Sequence, residues 1–332
     1  MSSAENRIRF VTILAVILTV YAVSVTISQF LFGSSLLGST LVEGSLAVLF
    51  FVAVMAFLMD RSPRSYRVAL VGFPQSGKTT LLISLFGEAF ARRIYGVKMT
   101  PRGSSTIERV NAGLARLQTG RAVGPTMDQD LFAFRADISF PRLLFPFTYK
   151  TEFGDFAGHD SERYSSEKEP WLHTTEFFKW VADSDAMIFV VDLGYYVARE
   201  EARKFYIARM SSALRAAWQH FLDVNSDRIN EVKRHPLVLA FTKVDLLAIS
   251  KNQSDLEHEV TRLGFGEDVP EEREISMQTL VRWEAQVKDD FSELIRYFAG
   301  ESKLRVVFTS SFAHSGGQRI GIEKLLLAVL PR

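Results

Sequence analysis

A glycine-rich motif at residues 72–79, with the sequence GFPQSGKT, constrains the fold of this chain more than any other feature. It matches the pattern G-x-x-x-x-G-K-[ST] and stands between an apolar run at 67–71 and a helix-forming run that starts at Thr80. In that context the loop points backbone N–H groups at phosphates, and the helix N-terminus adds partial positive charge. The motif therefore predicts a strand–loop–helix unit that binds a nucleoside triphosphate.

Each residue type in this loop has an expected task. Gly77 leaves room for the β-phosphate, Lys78 places a compact positive charge on the β- and γ-phosphates, and the Thr79 hydroxyl is a Mg²⁺ ligand. The loop residues expected to contact the nucleotide are Gly72, Gln75, Ser76, Gly77, Lys78, Thr79 and Thr80.

A strand-like segment at 147–153 is followed by Gly154-Asp155-Phe156-Ala157-Gly158-His159. An Asp-x-x-Gly sequence at a strand end suits a Mg²⁺ site. We expect the Asp155 carboxylate to hold the metal through water and the Gly158 N–H to meet the γ-phosphate.

A further buried-strand pattern at 237–241 continues directly into Thr242-Lys243-Val244-Asp245. The Asp245 carboxylate can accept hydrogen bonds from the N1–H and the 2-amino group of guanine. Adenine has neither donor there and would leave the carboxylate unpaired. The Lys243 stem is expected along the base plane. The alternative interpretation of this motif is an ordinary charged turn after a strand.

The last strand-like run, at 306–308, ends in Thr309, Ser310 and Ser311. A backbone N–H at this point is expected to donate to the guanine O6. Ser310 and Ser311 are therefore predicted nucleotide-binding residues.

The motifs GFPQSGKT, DFAGH, TKVD and TSS occur in the order typical of P-loop GTPases. From Arg67 to about Pro331 the chain resembles the translation-factor and Ras-like class of these enzymes. The resemblance implies an α/β fold with a mostly parallel sheet flanked by helices, and GTP or GDP with Mg²⁺ as ligands. It also implies that His159 positions the attacking water and that a first-switch threonine closes on Mg²⁺ and the γ-phosphate. Thr126 is the predicted threonine, with Thr100 and Thr106 as alternatives, so the expected catalytic residues are His159, Lys78 and Thr126.

Two apolar runs precede this region, at about 10–32 and 36–59. Their lengths as helices are roughly 34 and 36 Å, enough for a hydrocarbon core of about 30 Å. The first has no charged residue and the second has only Glu43, which we expect at the interface. The sequence therefore predicts a transmembrane hairpin, whose plan resembles the signal recognition particle receptor beta subunit. A cleaved signal peptide and a buried soluble hairpin are the alternatives.

Arginines flank the two runs, and no Lys or Arg lies between positions 10 and 60. The positive-inside rule then predicts a multi-pass integral membrane protein with both termini in the cytoplasm. The expected organisation is a hairpin at 1–60, a linker at 61–65 and a cytoplasmic GTPase domain at 66–332. Helical insertions are expected within it at about 195–230 and 246–300.

The net charge of +1 gives no push toward nucleic acid, and none is expected as a direct partner. The absence of cysteine excludes disulfides, thiolate metal sites and a Cys nucleophile. The predicted function is a membrane-tethered switch that hydrolyses GTP to GDP and recruits a protein partner at the cytoplasmic face. The alternative is a weakly hydrolysing, GTP-bound scaffold or docking receptor.

Overall fold

A computed structural model describes residues 64–73, 75–91, 93–118, 123, 132–140, 147–155, 180–197, 200–248 and 273–330. The predicted spans at 10–32 and 36–59 lie outside these ranges, as do Thr126, Gly158 and His159. Among the described residues, no helix combines the length and apolar character that crossing a bilayer needs.

Strands and helices alternate along most of the described chain. Their order is β1 (Arg64–Gly72), α1 (Lys78–Phe90), β2 (Lys98–Pro101), α2 (Ser104–Gln118), β3 (Phe132–Phe140), β4 (Phe147–Asp155), β5 (Ala186–Asp192), α3 (Leu193–Tyr196), α4 (Glu200–Val224), α5 (Ile229–Val232), β6 (Pro236–Thr242), β7 (Arg273–Glu274), α6 (Met277–Asp290), α7 (Ser292–Glu301), β8 (Lys303–Phe308), β9 (Ala313–Ser315), β10 (Gln318–Arg319) and α8 (Ile322–Val329). Short 3₁₀ turns lie at Ser226–Arg228 and Val244–Ala248.

One seven-stranded sheet has the order β2-β3-β4-β1-β5-β6-β8. The pairs β1–β5, β5–β6 and β6–β8 are parallel, whereas β2–β3 and β3–β4 are antiparallel. A second, three-stranded sheet has the order β10-β9-β7. The predicted α/β class with a mostly parallel sheet is confirmed.

The parallel strands are buried because helices cover both faces of the sheet. Every residue of β5 is buried, and so is every residue of β6 after Pro236. Continuous apolar runs of this kind are typical of parallel strands packed on both sides. The strands expected from the apolar runs at 237–241 and 306–308 are present as β6 and β8.

Each face of the sheet has its own hydrophobic core. On one face α4, α6 and α7 pack against the sheet through large side chains, among them Trp218, Phe291, Leu294 and Phe298. On the other face α1 and α8 contribute Leu81, Leu85, Phe86 and Leu326. Apolar residues of α4, which lies within the helical insertion expected at about 195–230, thus belong to the core, since Met210, Leu214 and Trp218 are buried.

Strand β1 starts at Arg64, earlier than the apolar run at 67–71 suggests. It therefore includes Arg64 and Ser65, which the sequence interpretation placed in the linker. Tyr66 explains the longer strand, because it is buried and its hydroxyl donates to the Val329 carbonyl at 2.8 Å. A polar strand start has no apolar signal by which to recognise it.

Two phenylalanines test the core that α4, α6 and α7 form against the sheet. Phe298 is fully buried, with its ring 5.3 Å from that of Phe189, whereas Phe205 on α4 is 70% exposed. We expect Phe298→Ala to lower the free energy of unfolding by about 3–5 kcal/mol, since it leaves a cavity. Phe205→Ala should change it by less than about 0.5 kcal/mol. Denaturant unfolding of the full chain measures both, and equal effects would contradict the assigned packing.

Candidate functional site

The carboxyl ends of five neighbouring strands bring the candidate site residues to one edge of the large sheet. Gly72 ends β1, Asp155 ends β4, Asp192 ends β5 and Thr242 ends β6, while Thr309 follows β8. On one side of β1 the strands β5, β6 and β8 follow in chain order, whereas on the other side β2 lies at the far edge and the chain returns to β1 through β3 and β4. The carboxyl end of β1 is therefore a topological switch point, where open α/β sheets have a crevice. Ligands of open α/β sheets bind at such a point.

The glycine-rich loop needs unusual backbone geometry at its start and its end. A Cβ atom on Gly72 would lie 2.8 Å from the Val190 carbonyl oxygen, so this position has no room for a side chain. Gln75 and Gly77 have φ angles of 61° and 85°, in the left-handed region. This conformation turns the loop back to the N-terminus of α1, and Leu81 N–H donates to Gly77 O at 2.8 Å.

The Lys78 ammonium group lies across this loop. Its Nζ donates to the carbonyl oxygens of Gly72 at 2.6 Å and Phe73 at 3.0 Å. The residue is only 6% exposed. A buried ammonium group next to a helix N-terminus concentrates positive charge where phosphate groups would enter.

A hydroxyl and a carboxylate meet beside the loop. Thr79 on the first turn of α1 donates its hydroxyl to Asp155 Oδ2 at 2.7 Å, and Asp155 is fully buried. Within the described ranges no cluster of three or more His, Asp or Glu forms a protein-only metal cage. Mg²⁺ commonly takes one or two protein oxygens and completes its shell with phosphate and water. Thr79 and Asp155 fit that kind of site.

Asp245 presents a buried carboxylate at the far end of the crevice. It is 4% exposed, and the Ser310 hydroxyl donates to its Oδ1 at 2.5 Å. The Ser310 Oγ also accepts the N–H groups of Phe312 at 3.1 Å and Ala313 at 2.9 Å. The Ser310 side chain thus orients Asp245, whereas the sequence interpretation expected Ser310 to contact the ligand.

In the loop after β8, the Ser311 N–H is the backbone donor that stays available for a ligand among the residues that the structure describes. Ser310 N–H donates to Ile320 O at 3.0 Å, and the next two N–H groups after Ser311 donate to the Ser310 hydroxyl. For the Ser311 N–H, the described part of the chain offers no acceptor. Of Ser310 and Ser311, it is therefore Ser311 whose backbone N–H can donate to an acceptor on the edge of a base.

Lys243 connects the two ends of the crevice. Its Nζ donates to Gln75 O at 2.9 Å and forms an ion pair with Asp192 Oδ2 at 2.6 Å. Its backbone has a φ of 60°. The preceding Thr242 hydroxyl donates to Ser76 O at 2.8 Å. These bonds join the glycine-rich loop to the segment that contains Asp245.

Asp192 is a site residue that the sequence interpretation missed. Its Oδ1 accepts the Gly194 N–H at 2.7 Å and caps α3, while Oδ2 holds Lys243. The Tyr206 hydroxyl donates to the Asp192 carbonyl at 2.7 Å. Burial, with the nearby Asp192 charge, raises the Tyr206 pKa well above its ordinary value, so this donor stays protonated. The available signal was an acidic residue at the end of a buried strand.

The remaining predicted residues lie elsewhere or outside the described ranges. Thr80 lies half-buried on α1. Thr106 is buried and its hydroxyl accepts the Arg135 N–H at 3.2 Å, so it supports the edge of the sheet. Thr100 is paired with Asp137, whereas Asp155 is opposite Phe132, which places Thr100 roughly 17 Å along the strands from Asp155. Neither alternative to Thr126 reaches the Thr79–Asp155 pair in this structure.

Neighbouring serines test the role of the Ser310 hydroxyl. We expect Ser310→Ala to lower the free energy of unfolding by about 1–3 kcal/mol, because it removes the hydroxyl that donates to Asp245 Oδ1 and accepts two backbone N–H groups. Ser311→Ala is the matched control, since its hydroxyl forms no hydrogen bond among the described residues, and should cost less than about 0.5 kcal/mol. Denaturant unfolding measures the free energy of unfolding of both variants. Similar losses in the two would contradict the hydrogen-bond network assigned to the Ser310 hydroxyl.

No protein-family model matches this chain, and no curated protein matches it. Solved structures give remote similarities. A signal recognition particle receptor SRb-GTP/SRX complex from Chaetomium thermophilum has a TM-score of 0.37 and 15% identity, over 77% of this chain and 95% of that chain. A protein described as nucleolar GTP-binding protein 1 from Plasmodium falciparum has a TM-score of 0.34 and 13% identity, over 80% and 86%. The bacterial dynamin GTPase LeoA from ETEC has a TM-score of 0.36 and 14% identity, over 84% of this chain and 37% of LeoA. At these values the likeness carries no conclusion about function.

Proposed function

We propose that this chain binds GTP with Mg²⁺, hydrolyses it to GDP and phosphate, and acts as a switch tethered to a membrane. One observation supports this most: a phosphate-type loop and an oriented, buried carboxylate, Asp245, share one crevice and are joined through Lys243. The loop suits a triphosphate, and the Asp245 carboxylate suits the N1–H and 2-amino donors of guanine.

The phosphate groups would lie in the glycine-rich loop. The loop backbone and the N-terminus of α1 favour negative charge there, and the Lys78 ammonium group would exchange its carbonyl partners for phosphate oxygens. Thr79 and Asp155 would hold Mg²⁺, directly or through water. A bound Mg²⁺ neutralises charge that develops on the phosphate oxygens.

The base would lie between Asp245 and Ser311. The Ser310 hydroxyl occupies Oδ1 of Asp245 and fixes the carboxylate plane. In that plane the carboxylate can accept the N1–H and 2-amino protons of guanine, while the Ser311 N–H can donate to O6. Adenine reverses the hydrogen-bonding character at C6 and N1, so the buried carboxylate would lose its partners.

Hydrolysis would proceed by attack of a water oxygen on the γ-phosphorus. The bond from that phosphorus to the β–γ bridging oxygen breaks, and GDP and inorganic phosphate leave. Catalysis of this kind depends on positioning and on charge stabilisation. We propose His159 as the residue that positions the water and Thr126 as the first-switch threonine, both from their places in the sequence.

The tether would be the pair of apolar runs at 10–32 and 36–59, with the GTPase region on the cytoplasmic side. A tether raises the effective concentration of the switch at the bilayer. We therefore propose a protein partner that is itself at the membrane and binds the GTP form.

Nucleotide competition on the full chain tests guanine recognition. With Mg²⁺ present, a fluorescent GTP analogue is displaced by unlabelled GTP, GDP, ATP or XTP, and guanine nucleotides should bind at least about 100-fold more tightly than ATP. Equal competition by ATP would refute the proposal.

Asp245→Asn tests the residue that reads the base. We expect a loss of GTP preference and a gain for XTP, because xanthine presents a carbonyl at C2 that the asparagine N–H₂ can bind. Asp223→Asn, an exposed acid on α4, is the control and should leave the preference unchanged. Unchanged GTP affinity in Asp245→Asn would refute the assigned role.

Single-turnover hydrolysis separates a GTPase switch from a GTP-bound scaffold. We expect His159→Ala to lower the rate of phosphate release about 100-fold or more while nucleotide affinity stays the same. The affinity measurement is the control for folding. A wild-type chain that binds GTP but releases no phosphate would favour the scaffold.

A further inference from the structure

A single arginine holds the peptide unit that follows the Ser311 N–H. Arg319, in β10, donates through Nη1 to the Ser311 carbonyl oxygen. The N–H of the same peptide unit belongs to Phe312 and donates to the Ser310 Oγ at 3.1 Å. Both ends of the Ser311–Phe312 peptide are therefore held, and on the other side the Ser310 N–H donates to Ile320 O at 3.0 Å. The backbone is thus held on both sides of the Ser311 nitrogen, which fixes the position of that nitrogen.

The other side of the Arg319 guanidinium contacts α1, the helix that follows the phosphate-type loop. Its Nε lies 3.0 Å from Glu88 Oε1, and Nη1 lies 3.5 Å from the Ser84 hydroxyl. The side chains of Arg319 and Glu88 are 15% and 7% exposed. An ion pair with so little solvent keeps its geometry better than a surface pair does.

We propose that Arg319 is a positioning residue that determines guanine specificity, by fixing the Ser311 N–H against O6 of the base. The inference rests on the proposed guanine site and adds a residue that acts on it through the Ser311 backbone. Through Glu88, the same guanidinium fixes the base-edge loop relative to α1. Arg319 thus links the base-edge loop to the helix that begins at the phosphate end.

The guanidinium shape is essential to this role. Its planar fork reaches a carbonyl and a carboxylate at once, and a lysine ammonium group on a flexible stem does not match that geometry. Arg319→Lys keeps the positive charge next to the buried Glu88 while it removes the fixed hold on Ser311. This substitution therefore separates geometry from charge.

The test uses three nucleotides that differ at the base edge. GTP has every donor and acceptor, 6-thio-GTP replaces O6 by sulfur, a weaker acceptor, and ITP lacks the 2-amino group. Displacement of a fluorescent GTP analogue from the full chain gives the affinity of each. The ratio of GTP to 6-thio-GTP affinity reports on the Ser311 contact, and the ratio of GTP to ITP affinity reports on Asp245.

For Arg319→Lys we expect GTP affinity to fall about five- to tenfold, the value of one hydrogen bond in a buried site. Affinity for 6-thio-GTP should change little, so the ratio of GTP to 6-thio-GTP affinity falls toward one. The GTP to ITP ratio should stay at its wild-type value, because Ser310 still orients Asp245. A general loosening of the site would lower both ratios, and that result would overturn the proposal.

Two further variants keep the test decisive. Arg93→Lys is the matched control, because Arg93 also pairs with Glu88, at 3.4 Å, and does not hold Ser311. Both of its ratios should equal those of the wild type. Glu88→Gln removes the negative charge that holds Arg319, and it should lower the ratio of GTP to 6-thio-GTP affinity but not the ratio of GTP to ITP affinity. This variant provides the test if Arg319→Lys fails to fold.

The outcomes also separate this inference from the proposed function. A wild-type chain that does not prefer guanine nucleotides refutes both. A wild-type chain that prefers them, with Arg319→Lys and Glu88→Gln both leaving the GTP to 6-thio-GTP ratio unchanged, refutes the positioning role and leaves the guanine site standing.

Discussion

The ammonium group of Lys243 is the contact on which the arrangement of the crevice depends. It joins Gln75 of the loop after β1 to Asp192 at the end of β5, and it extends from the segment that follows β6. Three adjacent strand ends thus share one cation. Lys243 and Gln75 both have left-handed backbones, which cost energy in non-glycine residues and persist only where surrounding bonds hold them. The phosphate-type loop and the base-reading segment consequently form one structural unit.

The sheet makes such a unit possible by keeping those strand ends in register. Helices cover both faces, so the central strands β1, β5 and β6 are buried on both sides, and a one-residue slip would misplace their packed side chains. Hydrogen bonds also join segments at the strand ends: the Thr242 hydroxyl donates to Ser76 O, and the Ser310 hydroxyl donates to Asp245. In a buried site such bonds are strong and restrict the geometry of the groups that they join.

The sequence predicts the parts of this site that follow from contiguous motifs. The loop at 72–79, the pair Thr79 and Asp155 and the carboxylate of Asp245 are all named by the sequence, because each belongs to a motif that follows or ends a recognisable strand. The roles of Asp192, Ser310 and Arg319 are not, because they arise from contacts between segments far apart in the chain, such as Arg319 with Ser84. Strand β1 was expected to be shorter, since its polar start has no periodic signal. Thr126, His159 and the membrane spans remain predictions from the sequence.

The crowding around Gly72 has a consequence for genetics. A side chain there would collide with Val190 on the neighbouring strand β5, and the closest atoms belong to its carbonyl oxygen and Cβ. A substitution at this position would therefore disrupt the pairing of β1 with β5, whether or not a nucleotide is bound. A Gly72 mutant that loses function in a genetic screen would do so because the sheet is misfolded. A Lys78 mutant in the same loop would do so because the positive charge is lost. Alleles of one motif can thus share a phenotype and have different physical origins.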